Sequence, residues 1–462
     1  MNATMKTHQL PLLPDTLTDG NSQSRASLGS RTQVRSNGRA NKIDRTDNPA
    51  HEWYRFVLSF PPHLVRQYLE RFETNGSHLV LDPFCGTGTT LVECKKLGIP
   101  SMGIEAHPMA HFAASTKTDW SPEPEELLAH ATDVAEYTTT LLASQGLIDI
   151  PFSSQKANCE TPLRTLPEEE HRLLLRDSIS PLPLHKTLLL LDAMSNIGSP
   201  SFRSHERLAL ARALVTTIGN LHFGPEVGVG KVKSDAPVVS PWLHIVRAIA
   251  ADLASLRSLD STPATVVHGD SRSISEFVPP SSVDAVFTSP PYPNEKDYTR
   301  TTRLESVLLG LVSTKHDLRA LKRTLVRSNT RSVYTDDADH ESISHIPEIS
   351  RLAERIERRR KSLGKTSGFE RMYHKVTLQY FGGMARHLEA LRGCLRPGAM
   401  LGYVVGDQAS YLRVMIRTGQ LLGKIAQSLG YEQIDIDLFR TRRATATRDE
   451  LREEVLVLRW PG

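Results

Sequence analysis

The sequence predicts an α/β fold: a doubly wound, mostly parallel sheet with helical insertions and an antiparallel hairpin at its C-terminal edge. Three observations carry this expectation. Residues 78–108, HLVLDPFCGTGTTLVECKKLGIPSMGIEAHP, give strand, glycine turn, helix and second strand in quick succession, the order of a βαβ unit. Strand-like apolar segments return at ATVVHGD (264–270) and VDAVFTSPPY (283–292). The chain then closes as helix, strand (AMLGYVVGD), helix, strand (QIDIDLF) and strand (EEVLVLRW), the last two separated by the polar TRRATATRD and expected to pair antiparallel.

Taken in order, residues 1–48 are rich in Ser, Asn, Arg, Thr and Asp and hold too little apolar surface to offset the entropy of ordering, so a flexible arm is expected. Residues 49–120 form the first half of the sheet domain. They open with a helix after Pro61-Pro62, whose Leu64, Val65, Tyr68, Leu69 and Phe72 share one face. Residues 121–260 break the strand–helix alternation with helical patterns such as HKTLLLLDAM, ERLALARALVTTIGNL and WLHIVRAIAADLASL. The sheet resumes over 261–312, a charged insertion spans 313–371, and 372–462 complete the domain.

At 462 residues the chain is long enough for a catalytic domain and a specificity element. Its formal charge is +4 and its pI near 8.8, a mildly basic balance compatible with a polyanionic partner. Four scattered cysteines, with no close pair, indicate neither a disulfide framework nor a zinc site. The N-terminus lacks a basic segment leading into an apolar core, and no run of about 18 apolar residues occurs. A soluble, cytoplasmic protein without membrane contact is expected.

The glycine turn is the first candidate site. In LVLDPFCGTGTT the strand ends at Asp82, and Gly86 and Gly88 precede a helix near Thr89. Glycines there permit positive φ and close approach of backbone amides to a ligand, and the helix N-terminus favours an anionic group. Glu105, at the end of the second strand, can accept both hydroxyls of a ribose. The dinucleotide fingerprint is incomplete, because position 91 is Leu where the third glycine would stand. GPEVGVGKVK (224–233) is not a phosphate loop, since Val232 follows the lysine where Ser or Thr is needed.

The second candidate is Ser289-Pro290-Pro291-Tyr292, placed at the carboxyl end of a strand where α/β sheets bind ligands. Two prolines fix the backbone and offer no N–H, so neighbouring carbonyls stay available as acceptors. A tyrosine ring supplies a stacking face. An exocyclic amino group is a poor nucleophile because its lone pair is conjugated into the ring. Acceptors on Ser289 and the Pro290 carbonyl would hold its two hydrogens and turn the nitrogen toward tetrahedral geometry. Stacking on Tyr292 would hold a base rotated out of a duplex.

DPFCGTGTT together with TSPPY resembles the amino-group DNA methyltransferases, and the serine form resembles most closely their cytosine-N4 branch. The resemblance covers about residues 48–120 and 262–462. It implies a Rossmann-like methyltransferase sheet, S-adenosylmethionine as cofactor, double-stranded DNA as partner, and room for a cognate restriction endonuclease. It further implies cofactor contacts from Asp82, Pro83, Phe84, Gly86, Gly88 and Glu105, an adenine contact from Asp270, and a methionine pocket lined near Phe60 and Pro61. Ser289, Pro290, Pro291 and Tyr292 carry over as the amino-group clamp. The cofactor half precedes the Ser-Pro-Pro-Tyr half here, whereas many cytosine-N4 enzymes have the opposite order. Adenine-N6 methylation remains the alternative, with RNA or protein-glutamine methylation behind it. Methylation at cytosine C5 would need a Pro-Cys nucleophile, and none of the four cysteines follows a proline.

Candidate DNA contacts are Lys231 and Lys233 in the first insertion, and Arg358, Arg359 and Arg360 in the second. Lys296 and Arg300, flanking Tyr298 just beyond the clamp, complete the set. For the arginine run a solvated helix face, partly balanced by Glu354 and Glu357, is the competing explanation.

Overall fold

The computed structural model describes residues 44–55, 59–150, 162–223, 227–293, 296–443 and 450–462. Nearly all of the expected N-terminal arm therefore lies outside the described residues. The central sheet contains β1 (Val80–Asp82), β2 (Ser101–Glu105), β3 (Ala264–His268), β4 (Val283–Thr288), β5 (Leu395–Gly406), β6 (Glu432–Arg443) and β7 (Glu450–Arg459). Their order is β3-β2-β1-β4-β5-β7-β6. The first five are parallel, and β7 runs antiparallel to both β5 and β6. The chain winds outward from β1 through β2 to β3, then returns to the other side of β1 as β4. This reversal opens a crevice at the carboxyl ends of β1 and β4, where the two motifs end.

The closing hairpin forms as expected, but β7 is an interior strand and only β6 lies at the edge. Its composition gives the reason. Val455, Leu456, Val457 and Leu458 are all buried, the continuous apolar run of a strand covered on both faces, whereas QIDIDLF alternates.

Helices cover both faces of the sheet. The helix Pro62–Arg71 packs Leu64, Val65, Tyr68 and Leu69 on one face with Phe287 and Val404. The helices Tyr373–Leu391 and Thr418–Ser428 cover the other, around Leu81, Val286, Leu401 and Leu456. The first insertion builds its own core. Helices Pro124–Ser144, Pro181–Asn196, Arg203–Ala213 and Val239–Leu256 bury Leu142, Leu190, Leu208 and Trp242, joined to the sheet domain through Met109 and Ala113. It also holds a short antiparallel ribbon, Leu221–Phe223 with Val227–Val229, which the helical periodicity did not foretell. In the second insertion the helix Pro347–Ser362 turns Ile349, Leu352 and Ile356 into the sheet-domain core and its arginines outward. Among the described residues no helix is long and apolar enough to cross a membrane.

Candidate active site

β1 ends in Asp82, whose side chain is fully buried. Its carboxylate accepts hydrogen bonds from Thr288 Oγ1 at 2.6 Å and from the Phe84 amide at 3.2 Å. Thr288 closes β4 immediately before Ser289, so one buried contact binds the two sequence motifs together. Burial lifts the Asp82 pKa to about 6, opposed by the Thr288 hydrogen bond. Removing the hydroxyl would take the shorter of these two hydrogen bonds from a buried carboxylate, an effect of about 1–3 kcal/mol.

After Asp82 the chain turns through Gly86 (φ 52°) and Gly88 (φ 84°), both in the left-handed region, into the helix Thr89–Lys96. A Cβ on Gly86 would meet nothing within 4 Å, because this residue borders open cavity space. The Gly86 amide instead donates to Glu105 Oε2 at 2.8 Å, and the His107 amide donates to Glu105 Oε1 at 2.7 Å. Glu105 therefore stands at the end of β2 with each oxygen holding one N–H and retaining acceptor capacity. Burial raises its pKa to about 7, against the pull of those two amides.

A cavity of about 240 Å³ lies between the motifs. Phe60, Pro83, Phe84, Gly86 and Glu105 line it together with Ser289, Pro290, Pro291 and Tyr292. Ser289 Oγ donates to the Val404 carbonyl of β5 at 3.1 Å. With its proton so directed, the hydroxyl oxygen is free to accept. The Tyr292 ring lies against Gly406, where a Cβ would come within 3.2 Å of it, so glycine at the end of β5 is what lets the ring sit so close. Burial, and then the nearby Glu453 charge, push the Tyr292 phenol up to about 12, which keeps it neutral.

The family model described as DNA methylase, for amino-group N6 and N4 enzymes, matches residues 29–115. The type II methyltransferase M.BsoBI of Geobacillus stearothermophilus is 27% identical over 429 residues, covering 86% of this chain and 82% of the relative. M.AvaI of Anabaena variabilis is 24% identical over 446 residues, covering 89% and 87%. M.MjaII of Methanocaldococcus jannaschii is 43% identical over 67 residues, 14% of this chain and 12% of its own. The chain is thus similar over most of its length to type II methyltransferases, and over residues 29–115 to the amino-group DNA methylases.

The amino-group DNA methyltransferases that the chain resembles use S-adenosylmethionine. The residues of this methyltransferase fit that group. Glu105 retains acceptor capacity for ribose hydroxyls, Gly86 leaves the cavity unobstructed, and Phe60 and Phe84 provide apolar wall. A pH dependence follows. An ionised Glu105 accepts hydroxyls better than a protonated one, so cofactor affinity should rise between about pH 6 and 8 as the carboxyl titrates near 7. In Glu105→Gln the affinity should be weaker and the rise absent, as calorimetric titration across that range would show. An unchanged pH profile in the variant would detach Glu105 from the cofactor.

Other expected residues of the methyltransferase stand apart from the cavity. Asp82 and Gly88 support the turn from behind, Gly88 lying against Ala114, and Pro61 caps the helix Pro62–Arg71. Asp270 is engaged by a neighbouring arginine. Its carboxylate grips the Arg272 guanidinium at 2.6 and 3.1 Å and accepts the Arg272 amide, and Arg272 continues to Asp339 at 2.6 Å. An arginine two residues on, buried beside it, claims this carboxylate, while Gly269 and Ser271 border the cavity instead.

Among the expected DNA contacts, Lys231, Arg358 and Arg359 are exposed. Lys233 is not a free cation, since its ammonium donates to the Thr217 carbonyl at 2.5 Å. Arg360 is likewise committed, to Glu357 at 2.6 Å and to the Lys365 carbonyl at 2.6 Å. Lys296 and Arg300 are half-buried on either side of Tyr298, which lines the cavity, and Arg300 Nε is buried without a partner among the described residues.

Several wall residues had no sequence signal. His107 accepts from the Met109 amide, and its Nε2 lies 3.0 Å from Thr302 Oγ1. Burial holds its pKa near 4, so the imidazole is neutral. Phe439, Arg440 and Glu453 reach the cavity from β6 and β7. Cys85, Cys94 and Cys394 are buried and free, and Cys159 lies outside the described residues.

Proposed function

We propose that this methyltransferase modifies cytosine N4 at a specific site in duplex DNA, within a type II restriction–modification system that has a cognate endonuclease. The observation that carries the reading is the presence of Ser289-Pro290-Pro291-Tyr292 in the same cavity as Gly86 and Glu105. S-adenosylmethionine, when bound, supplies an electrophilic methyl group. Glu105 and the glycine turn would hold and orient it, with Phe60 and Phe84 against its apolar parts.

The Ser289 oxygen, its own proton directed to Val404, and the Pro290 carbonyl would accept the two amino hydrogens of the target base. Holding both hydrogens draws the nitrogen lone pair out of conjugation and directs it toward the donor, a gain from positioning and preorganised dipoles. Tyr292, neutral and packed on Gly406, would stack on the extruded base. No covalent enzyme intermediate is required for attack by an amino nitrogen. The serine form of the clamp supports cytosine, and the type II methyltransferases M.BsoBI and M.AvaI, similar along most of their length, support a type II role.

Acceptor class is tested by offering duplex DNA, RNA and protein together with methyl-labelled S-adenosylmethionine. Label should enter the duplex DNA. Incorporation into RNA or protein with none in DNA would overturn the assignment.

A further inference from the structure

β6 breaks its register with β7 twice, between Gln433 and Asp435 and again between Leu438 and Arg440, and the second break lies beside the cavity. Across the hairpin Leu438 pairs with Glu454 and Arg440 pairs with Glu453, leaving Phe439 as an extra residue in a β-bulge. Consecutive residues of a regular strand point to opposite faces. Here Phe439 and Arg440 both line the cavity, which the bulge makes feasible.

Glu453, on the neighbouring strand, lines the cavity too and fixes the arginine. Arg440 Nε donates to Glu453 Oε2 at 2.5 Å, and Arg442 Nε lies 3.2 Å from Glu453 Oε1. The Glu453 Cγ would be 3.4 Å from a Cβ on Gly406, the glycine that the Tyr292 ring covers. The ion pair therefore adjoins the clamp. Among the described residues neither Nη group of Arg440 has a hydrogen-bond partner. A mostly buried ion pair contributes little net stability, so its presence beside a reactive pocket calls for another reason.

We infer that Arg440 is a specificity-determining residue that reads the ring edge of the target base, with Glu453 as its positioning residue. The inference rests on the cytosine reading above. Beside its amino group cytosine presents two adjacent acceptors, the ring nitrogen N3 and the carbonyl O2. The two Nη donors of a guanidinium match that pair as a planar fork. Adenine presents one ring nitrogen followed by a C–H, which would leave one donor buried and unpaired, the arrangement by which a polar site rejects a near-isostere.

The test uses the full-length enzyme and duplexes whose target position carries either cytosine or the C-nucleoside of 2-aminopyridine, which keeps the amino group and adjacent ring nitrogen but lacks O2. Wild-type enzyme should lose about 10- to 100-fold in kcat/KM on the analogue. Arg440→Gln should lose a similar factor on cytosine, lose little more on the analogue, and bind S-adenosylmethionine as wild type does, which shows that it folds. Glu453→Gln, which releases the guanidinium without removing it, should show a smaller loss of the same pattern. An equal loss from Arg440→Gln on both bases would make the arginine a backbone contact and overturn the inference, as would undiminished turnover of cytosine by that variant. Label found on adenine with the wild-type enzyme would instead refute the parent reading, before any variant is compared.

Discussion

Tyr292→Ala is expected to lower methyl transfer by roughly 100-fold while leaving S-adenosylmethionine affinity largely unchanged. Stacking of a base on an aromatic ring is worth about 1–3 kcal/mol, and a base no longer held flat is also misaligned for attack. The ring sits on Gly406 at the clamp end of the cavity, whereas Gly86 and Glu105 stand at the carboxyl ends of β1 and β2. The two functions should therefore separate in one variant. Single-turnover methylation and calorimetric cofactor titration on the same preparation measure both. Full turnover in Tyr292→Ala would remove the ring from the mechanism, and a parallel loss of cofactor affinity would assign Tyr292 to the wrong end of the site.

The second large effect is expected at Gly86→Val. A β-branched residue at φ 52° is strained by about 1–3 kcal/mol. The added side chain would also enter the cavity beside Glu105, since nothing within 4 Å occupies the Cβ direction. Cofactor affinity should fall at least ~100-fold, equivalent to about 2.7 kcal/mol, with methylation lost in step. Because the space is open rather than packed, the variant should still fold, with a melting temperature lowered only by the backbone strain. Wild-type affinity in Gly86→Val would dissociate the glycine turn from the cofactor.

The parts of this molecule that were legible in the sequence are those governed by local chemistry. A strand ending in Asp82, two glycines at positive φ, and a second strand ending in Glu105 are each set by residues within about one turn of one another. Ser-Pro-Pro-Tyr announces itself because two prolines after an apolar strand leave few alternatives. The exchange of places between β6 and β7 was also present in the residues, as the difference between an alternating strand and a continuous apolar one.

What escaped depends on pairing between distant segments. The sequence did not show that the Asp270 carboxylate joins a network through Arg272 to Asp339. Lys233 looked like a loop cation until the ribbon brought it against the Thr217 carbonyl. Arg440 and Glu453 meet only through the register of a hairpin that contains a bulge, and no periodicity in β6 marks where that extra residue falls. Charge in the sequence thus overstated the free cations, because pairing was decided by tertiary geometry.

The most direct test of the central claim is the identity of the methylated nucleoside. Purified enzyme is incubated with unmethylated duplex DNA and methyl-labelled S-adenosylmethionine, and the product is digested and resolved by mass spectrometry. Label on N4-methylcytosine, formed roughly 100-fold more slowly with Tyr292→Ala, is the predicted result. Label on N6-methyladenine would keep the amino-group chemistry but contradict the assigned base, and label on C5 of cytosine would contradict the clamp altogether.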